Sequence, residues 1–163
     1  MRRLILIRHA KSGWDDTMAD DHERQLTDRG RNAAKAIGTW LAQSNYIPDV
    51  LLVSDATRTI ETHSHLCAGL GQTPETKFQP LLYHAAPDTI LDLAMRETAH
   101  CIGIIAHNPG IAMAAYGLLK ARPVHSRFSD YPTGATTVID FADGIAIGEG
   151  VCTDFIVPRD LTD

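Results

Sequence analysis

The chain has 163 residues, 44% of them hydrophobic and 21% charged, a composition that supports a globular fold with an apolar core and excludes disorder or collagen-like structure. With 15 Lys+Arg against 20 Asp+Glu the formal charge is −5, which excludes a broad basic surface for nucleic acid or an anionic membrane. An anionic substrate must therefore be met by a local group of cations.

The first apolar run, Leu-Ile-Leu-Ile at 4–7, follows Met1-Arg2-Arg3, but Arg8 and His9 end it too soon for a signal peptide. No stretch approaches the roughly 18 apolar residues of a membrane span. This run and those at 50–53 and 101–106 are short and β-branched, as expected of strands buried on both faces of a parallel sheet. The segment 11–24, with Trp14, Asp15, Asp16, Asp20, Asp21, His22 and Glu23, reads as a solvated loop.

Thr27 is placed to cap a helix carrying Ala33, Ala36, Ile37, Trp40 and Leu41 on one face, before Pro48. Ser54 or Asp55 can cap a second, with the stripe Ala56, Ile60, His63, Cys67 and Leu70 and with Gly69 and Gly71 as stop signals. A third helix is expected after Pro87-Asp88, carrying Ile90, Leu91, Leu93 and Ala94. A fourth follows Pro109-Gly110, with Ile111, Ala114, Ala115, Leu118 and Leu119 inward. Strands alternating with helices imply an α/β fold with helices on both faces of its sheet. Segments 135–141 and 151–157, around Ala142-Asp143-Gly144, predict an antiparallel or mixed edge near the C-terminus. No repeat or linker divides the sequence, so one domain over 1–163 is expected.

Cys67, Cys101 and Cys152 form no C-x-x-C pair, which argues against a disulfide framework or zinc ribbon and fits a reducing cytoplasm. The eight histidines show no compact ligand spacing. His63 reads as a packed core histidine, and His65, His100 and His125 as surface.

Ligands of open α/β sheets bind at the carboxyl ends of strands, and three apolar runs end in similar chemistry. The first delivers Arg8-His9, the second Ser54-Asp55 with Arg58 a turn later, and the third His107-Asn108-Pro109-Gly110. If these strands are parallel neighbours, two arginines and two histidines converge on one crevice. Guanidinium forks match phosphoryl oxygens and stay charged, while a neutral imidazole is a nucleophile toward phosphorus. The group reads as a phosphoryl pocket without a metal, with Lys11 and Ser12, closest to the first strand's end, as further phosphate contacts. Arg24 and Arg29 read as partners of loop carboxylates.

Arg8-His9-Ala10-Lys11-Ser12, Leu26-Thr27-x-Arg29-Gly30, Ser54-x-Ala56-x-Arg58-Thr59-x-x-Thr62 and His107-Asn108-Pro109-Gly110 together resemble the histidine phosphatase superfamily, and within it the small SixA-type phosphohistidine phosphatases. Weaker echoes are Leu82-Tyr83-x-Ala85 and Pro132-Thr133-Gly134-Ala135. The resemblance implies a phosphoglycerate mutase-like three-layer α/β/α sandwich with a mostly parallel central sheet. It also implies a cytoplasmic phosphatase of signal transduction that needs no cofactor. In that reading His9 attacks phosphorus to form a phosphohistidine intermediate, and Arg8, Arg58 and His107 surround the phosphoryl oxygens.

Larger members of the superfamily carry a carboxylate general acid, and here Glu75 and Asp88 sit in no such motif; Asp88, Glu75 or a loop carboxylate such as Asp16 reaching the leaving group would favour an alkyl phosphate substrate. A missing acid handicaps alkyl phosphate esters more than phosphohistidine, whose imidazole leaves readily. The expected partner is a phosphorylated protein such as a histidine phosphotransfer domain. The alternatives are a phosphatase of small phosphometabolites or of phosphoserine and phosphothreonine proteins, and a non-catalytic phospho-dependent binding module.

Overall fold

A computed structural model of the chain describes residues 1–13 and 18–162. In chain order its elements are β1 (Arg2–Arg8), α1 (Asp28–Gln43), β2 (Val50–Ser54), α2 (Thr57–Leu70) and β3 (Glu75–Gln79), then α3 (Pro87–Met95), β4 (Cys101–Ala106), α4 (Gly110–Leu118), β5 (Thr136–Phe141) and β6 (Val151–Ile156). Short 3-10 turns occupy Asp21–Glu23, Pro80–Leu82 and Pro158–Leu161. Among the described residues no helix is long and apolar enough to cross a membrane.

The six strands form one sheet in the order β3-β2-β4-β1-β5-β6. β3, β2, β4 and β1 run parallel, while β5 pairs antiparallel with both β1 and β6, which gives the mixed edge the tail pattern predicts. Side chains alternate across each strand. Leu4, Leu6, Leu52, Ile102 and Ile104 therefore pack with α3 and α4 on one face, and Ile5, Ile7, Leu51, Val53 and Ile105 with α1 and α2 on the other. Burial on both faces is why these runs are apolar without alternation.

β3 is a strand the apolar pattern does not predict. Its sequence, Glu-Thr-Lys-Phe-Gln, is largely polar because it is an edge with β2 as its one neighbour in the sheet. Thr27 caps α1 as expected, its hydroxyl accepting from the Gly30 N–H at 3.0 Å. The buried face of α1 is Gly30, Ala34, Ile37, Gly38 and Leu41, however, with Ala33, Ala36 and Trp40 only half-buried. The offset follows from glycine packing against α2. A Cβ on Gly38 would lie 1.9 Å from the Leu66 carbonyl oxygen, and one on Gly69 would lie 2.0 Å from that of Lys35. Gly69 is thus a packing residue inside α2, and Gly71, in the left-handed region at φ 80°, ends the helix.

α2 departs from its expected cap and stripe. Ala56 is its N-cap with no side-chain cap bond, while Ser54 and Asp55 bond to histidines. Ile60 is 40% exposed, and Arg58, Thr59 and Thr62 are buried in its place because the first turns face the sheet's carboxyl edge.

Candidate active site

Strand register brings the predicted residues together. Ile7 and Val53 both lie opposite Ile105, and Arg8 lies opposite Ala106, so β1, β2 and β4 end side by side. His9 and His107 follow directly, with ring centroids 5.3 Å apart, and Arg58 enters from the first turn of α2. His9, Arg58 and His107 are 6%, 3% and 4% exposed, and Arg8 is half-buried.

The His9 main-chain N–H donates to the Ala106 carbonyl at 3.0 Å. Its ring Nδ1 lies 2.7 Å from the Ala10 carbonyl oxygen. A carbonyl can only accept, so Nδ1 carries the proton and the lone pair is on Nε2. Burial, with the charges of Arg58 and Arg8 nearby, lowers the His9 pKa to about 3. Its environment therefore favours the neutral ring.

His107 is neutral for the same reasons: burial, then His9 and Arg58, lower its pKa to about 3. Its Nε2 bonds the Ser54 hydroxyl at 2.8 Å. Its Nδ1 has no partner among the described residues, and neither do Arg8 Nε and Arg58 Nε. Buried donors are normally satisfied, so the two guanidinium nitrogens are left with hydrogen-bonding capacity that an anion could use.

Thr62 ties the pieces together, its hydroxyl accepting from the Ala10 N–H at 3.0 Å and donating to the Arg58 carbonyl at 2.7 Å. The guanidinium of Arg8 donates from Nη1 to the Tyr131 carbonyl at 3.1 Å, and Asn108 donates to the same oxygen at 2.9 Å. Tyr131 is fully buried at φ 44°, a left-handed conformation rare outside glycine, and its hydroxyl donates to the Leu6 carbonyl at 3.2 Å.

Asp21 is the acidic centre of the site rim. Its carboxylate accepts from the Tyr83 hydroxyl, Arg58 Nη2 (3.1 Å) and Arg24 Nε (3.0 Å), and His84 Nε2 lies at 3.3 Å. The Tyr83 hydrogen bond and the arginine charges hold this carboxyl well below the usual carboxylate range. The Tyr83 ring stacks on His84 and meets His107 edge-on.

Lys11 and Ser12 stand differently from Arg8, His9, Arg58 and His107. The Ser12 hydroxyl accepts from Arg24 at 2.9 Å, and exposed Lys11 lines a groove that includes neither Arg8 nor His9. Arg24 pairs with Asp21 as expected of a loop arginine, whereas Arg29 makes no ion pair among the described residues. His63 is a packed histidine bonded to the Thr76 hydroxyl at 2.9 Å, and half-buried His125 pairs with Asp160 at 2.8 Å.

Of the proposed acids, Glu75 begins β3 at the opposite end of the sheet, and Asp88 lies with Leu91 and Met113 in a pocket between α3 and α4. Asp16 lies outside the described residues. No group of three or more metal-ligating side chains occurs among the described residues. Asp21, Tyr83 and Tyr131 are site residues that pattern reading missed. The signals nearest to them are the Leu82-Tyr83-x-Ala85 and Pro132-Thr133-Gly134-Ala135 echoes.

His9, His107, Arg8 and Arg58 meet at the carboxyl edge of this α/β/α sandwich, an arrangement that fits a phosphoryl-transfer enzyme of the phosphatase and mutase class. The chain belongs to the histidine phosphatase superfamily: residues 4–80 match the family model for branch 1. An uncharacterized protein of Mycobacterium tuberculosis is 31% identical over 163 aligned residues, covering 94% of this chain and 100% of that one. An uncharacterized chloroplastic protein of Arabidopsis thaliana is 48% identical over 61 residues, 37% of this chain and 28% of its own length. The crystal structure of a protein given the name phosphohistidine phosphatase SixA, from Agrobacterium tumefaciens, superposes with a TM-score of 0.84 at 25% identity, covering 96% of this chain and 98% of that one.

Proposed function

We propose that the protein is a metal-independent phosphatase that hydrolyses protein phosphohistidine through a phosphohistidine intermediate on His9. One observation carries this reading: His9 has its lone pair on Nε2, its ring lies 5.3 Å from that of His107, and Arg8 Nε, Arg58 Nε and His107 Nδ1 are buried without partners among the described residues. The guanidinium groups supply positive charge at the phosphoryl oxygens, where positioning and electrostatics dominate catalysis.

In the first step the Nε2–P bond forms as the substrate N–P bond breaks. The bonding pair passes to the substrate imidazole, which leaves neutral when its second ring nitrogen carries a proton. Water then attacks phosphorus and the pair returns to Nε2, while the water's proton passes to product phosphate or solvent. Because Nδ1 keeps its proton on the Ala10 carbonyl, His9 also leaves as a neutral ring.

The carboxylates support an N-phosphorylated substrate. Asp21 is held ionised, Asp55 is bonded to His22 at 2.9 Å, and Glu75 and Asp88 are remote. An alkoxide leaving group needs a proton donor that none of these provides, whereas imidazole does not.

The test is phosphate release from a histidine-phosphorylated phosphotransfer domain in excess EDTA, beside an alkyl phosphate. Release from the domain, abolished in His9→Ala, is expected. Undiminished release from His9→Ala would refute the nucleophile, and faster turnover of the alkyl phosphate would favour a phosphometabolite or phosphoserine/phosphothreonine substrate.

A further inference from the structure

Four cations from distant parts of the chain line a single groove of about 250 Å³: Lys11 after β1, Arg29 in the first turn of α1, Arg127 before β5 and Arg159 in the last 3-10 turn. All four are exposed. Arg127 pairs with Asp130 at 3.0 Å, and Lys11, Arg29 and Arg159 have no ion pair among the described residues. The neighbouring Asp160 is engaged by His125 at 2.8 Å and by the Val157 N–H at 2.9 Å. Gathering like charges is unfavourable by itself, and it is notable in a chain of net charge −5.

The groove adjoins the phosphoryl pocket. Lys11 is two residues beyond His9, and Thr133 on the groove wall precedes Gly134, whose N–H donates to the carbonyls of Arg8 (3.1 Å) and His9 (3.0 Å). Its volume is below the roughly 300–1,000 Å³ of pockets that enclose a small molecule, so it suits side chains presented by a docked surface. The acidic balance of the whole chain disfavours a nucleic acid as the occupant.

We infer that this groove docks an acidic segment of the protein substrate, one that flanks the phosphorylated side chain delivered to His9. The inference rests on the phosphoprotein reading above and adds to it the chemistry by which the partner is chosen. Lys11, Arg29 and Arg159, without an ion pair among the described residues, receive carboxylates while Arg8, Arg58 and His107 receive the phosphoryl group. Steering by the groove raises the association rate and makes it sensitive to salt.

The experiment uses the full-length protein, its Arg29→Glu/Arg159→Glu variant, and both again in a His9→Ala background. The probe is a phosphotransfer domain with an acidic patch beside its phosphorylatable histidine, together with the same domain with that patch neutralised. Titration calorimetry on the His9→Ala proteins reads docking without turnover, and phosphoramidate hydrolysis reads the pocket alone.

The expected result is about tenfold weaker binding of the acidic domain after charge reversal, an equal loss on neutralising the patch, and unchanged phosphoramidate hydrolysis. Equal binding by the reversed and unreversed proteins, or no binding to either, overturns the inference. A charge-reversed protein that also loses phosphoramidate hydrolysis overturns it too, because the groove would then be part of the pocket. If the protein without substitutions fails to hydrolyse phosphoramidate, the catalytic reading fails, and the binding comparison still decides the groove.

Discussion

The carboxylate of Asp21 meets the guanidinium of Arg58 at 3.1 Å, and the main-chain carbonyl of the same aspartate takes a second hydrogen bond from Arg58 at 2.7 Å. Both terminal nitrogens are thus engaged by one residue, while Nε is buried without a partner among the described residues. Asp21→Asn keeps the shape and the main-chain bond but removes a negative charge from the rim. Its expected effect is a kcat lower by about three- to tenfold with tighter inhibition by inorganic phosphate, since orientation weakens while repulsion of the anion falls. Steady-state kinetics with phosphate as inhibitor checks both signs.

Replacing either guanidinium by an ammonium removes the planar fork. Arg58→Lys and Arg8→Lys should each lower kcat/KM by about 10²–10³, the usual cost of losing a donor to the transition state. Unchanged thermal stability alongside that loss would assign the effect to chemistry. A loss under fivefold would remove the residue from the phosphoryl pocket.

His9 and His107 both have pKa values lowered to about 3, against about 6.5 in an unfolded chain. Between those values the unfolded chain binds protons that the folded one refuses. The stability contribution is therefore full above about pH 6.5 and is lost as the pH falls toward 3. Urea midpoints should decline steadily from pH 7 to pH 4, and His9→Asn/His107→Asn should flatten the slope. The same lowering keeps the nucleophile unprotonated, so an acid limb in kcat/KM near pH 6.5 would contradict this environment for His9.

Tyr131 separates a fold contribution from a catalytic one. Its hydroxyl bonds the Leu6 carbonyl and Thr137, while its own carbonyl holds Arg8. Tyr131→Phe leaves the carbonyl in place, so a loss of about 1–2 kcal/mol in stability is expected, with kcat and KM within twofold. Chemical denaturation and kinetics on one preparation decide it.

How far the molecule was legible in its sequence depends on the range of the forces involved. Arg8, His9 and His107 could be found because each directly follows an apolar strand, and parallel strands end together. Arg58 needed only one further helical turn. Asp21 could not, because its significance comes from contacts with Arg58 and Tyr83, 37 and 62 residues away, and locally it looks like any acidic loop residue. Tyr131 escaped for the same reason, since it acts on Arg8 through a carbonyl that every residue has. β3 was missed because an edge strand need not be apolar, and the α1 face was misplaced by a few residues because glycine carries no hydrophobic signal.

The glycine contact between α1 and α2 has a consequence for the proposed docking of a phosphoprotein. Arg29 stands at the start of α1 and Arg58 at the start of α2, and at Gly38 and Gly69 each helix lies directly against the backbone of the other. In the docking mode proposed above, that crossing would act as a gauge between Arg29 of the groove and Arg58 of the pocket. A partner whose acidic segment lies nearer to or farther from its phosphorylated side chain than that gauge allows satisfies one site or the other but not both. Under that proposal, discrimination among phosphoproteins would be a matter of spacing as well as charge.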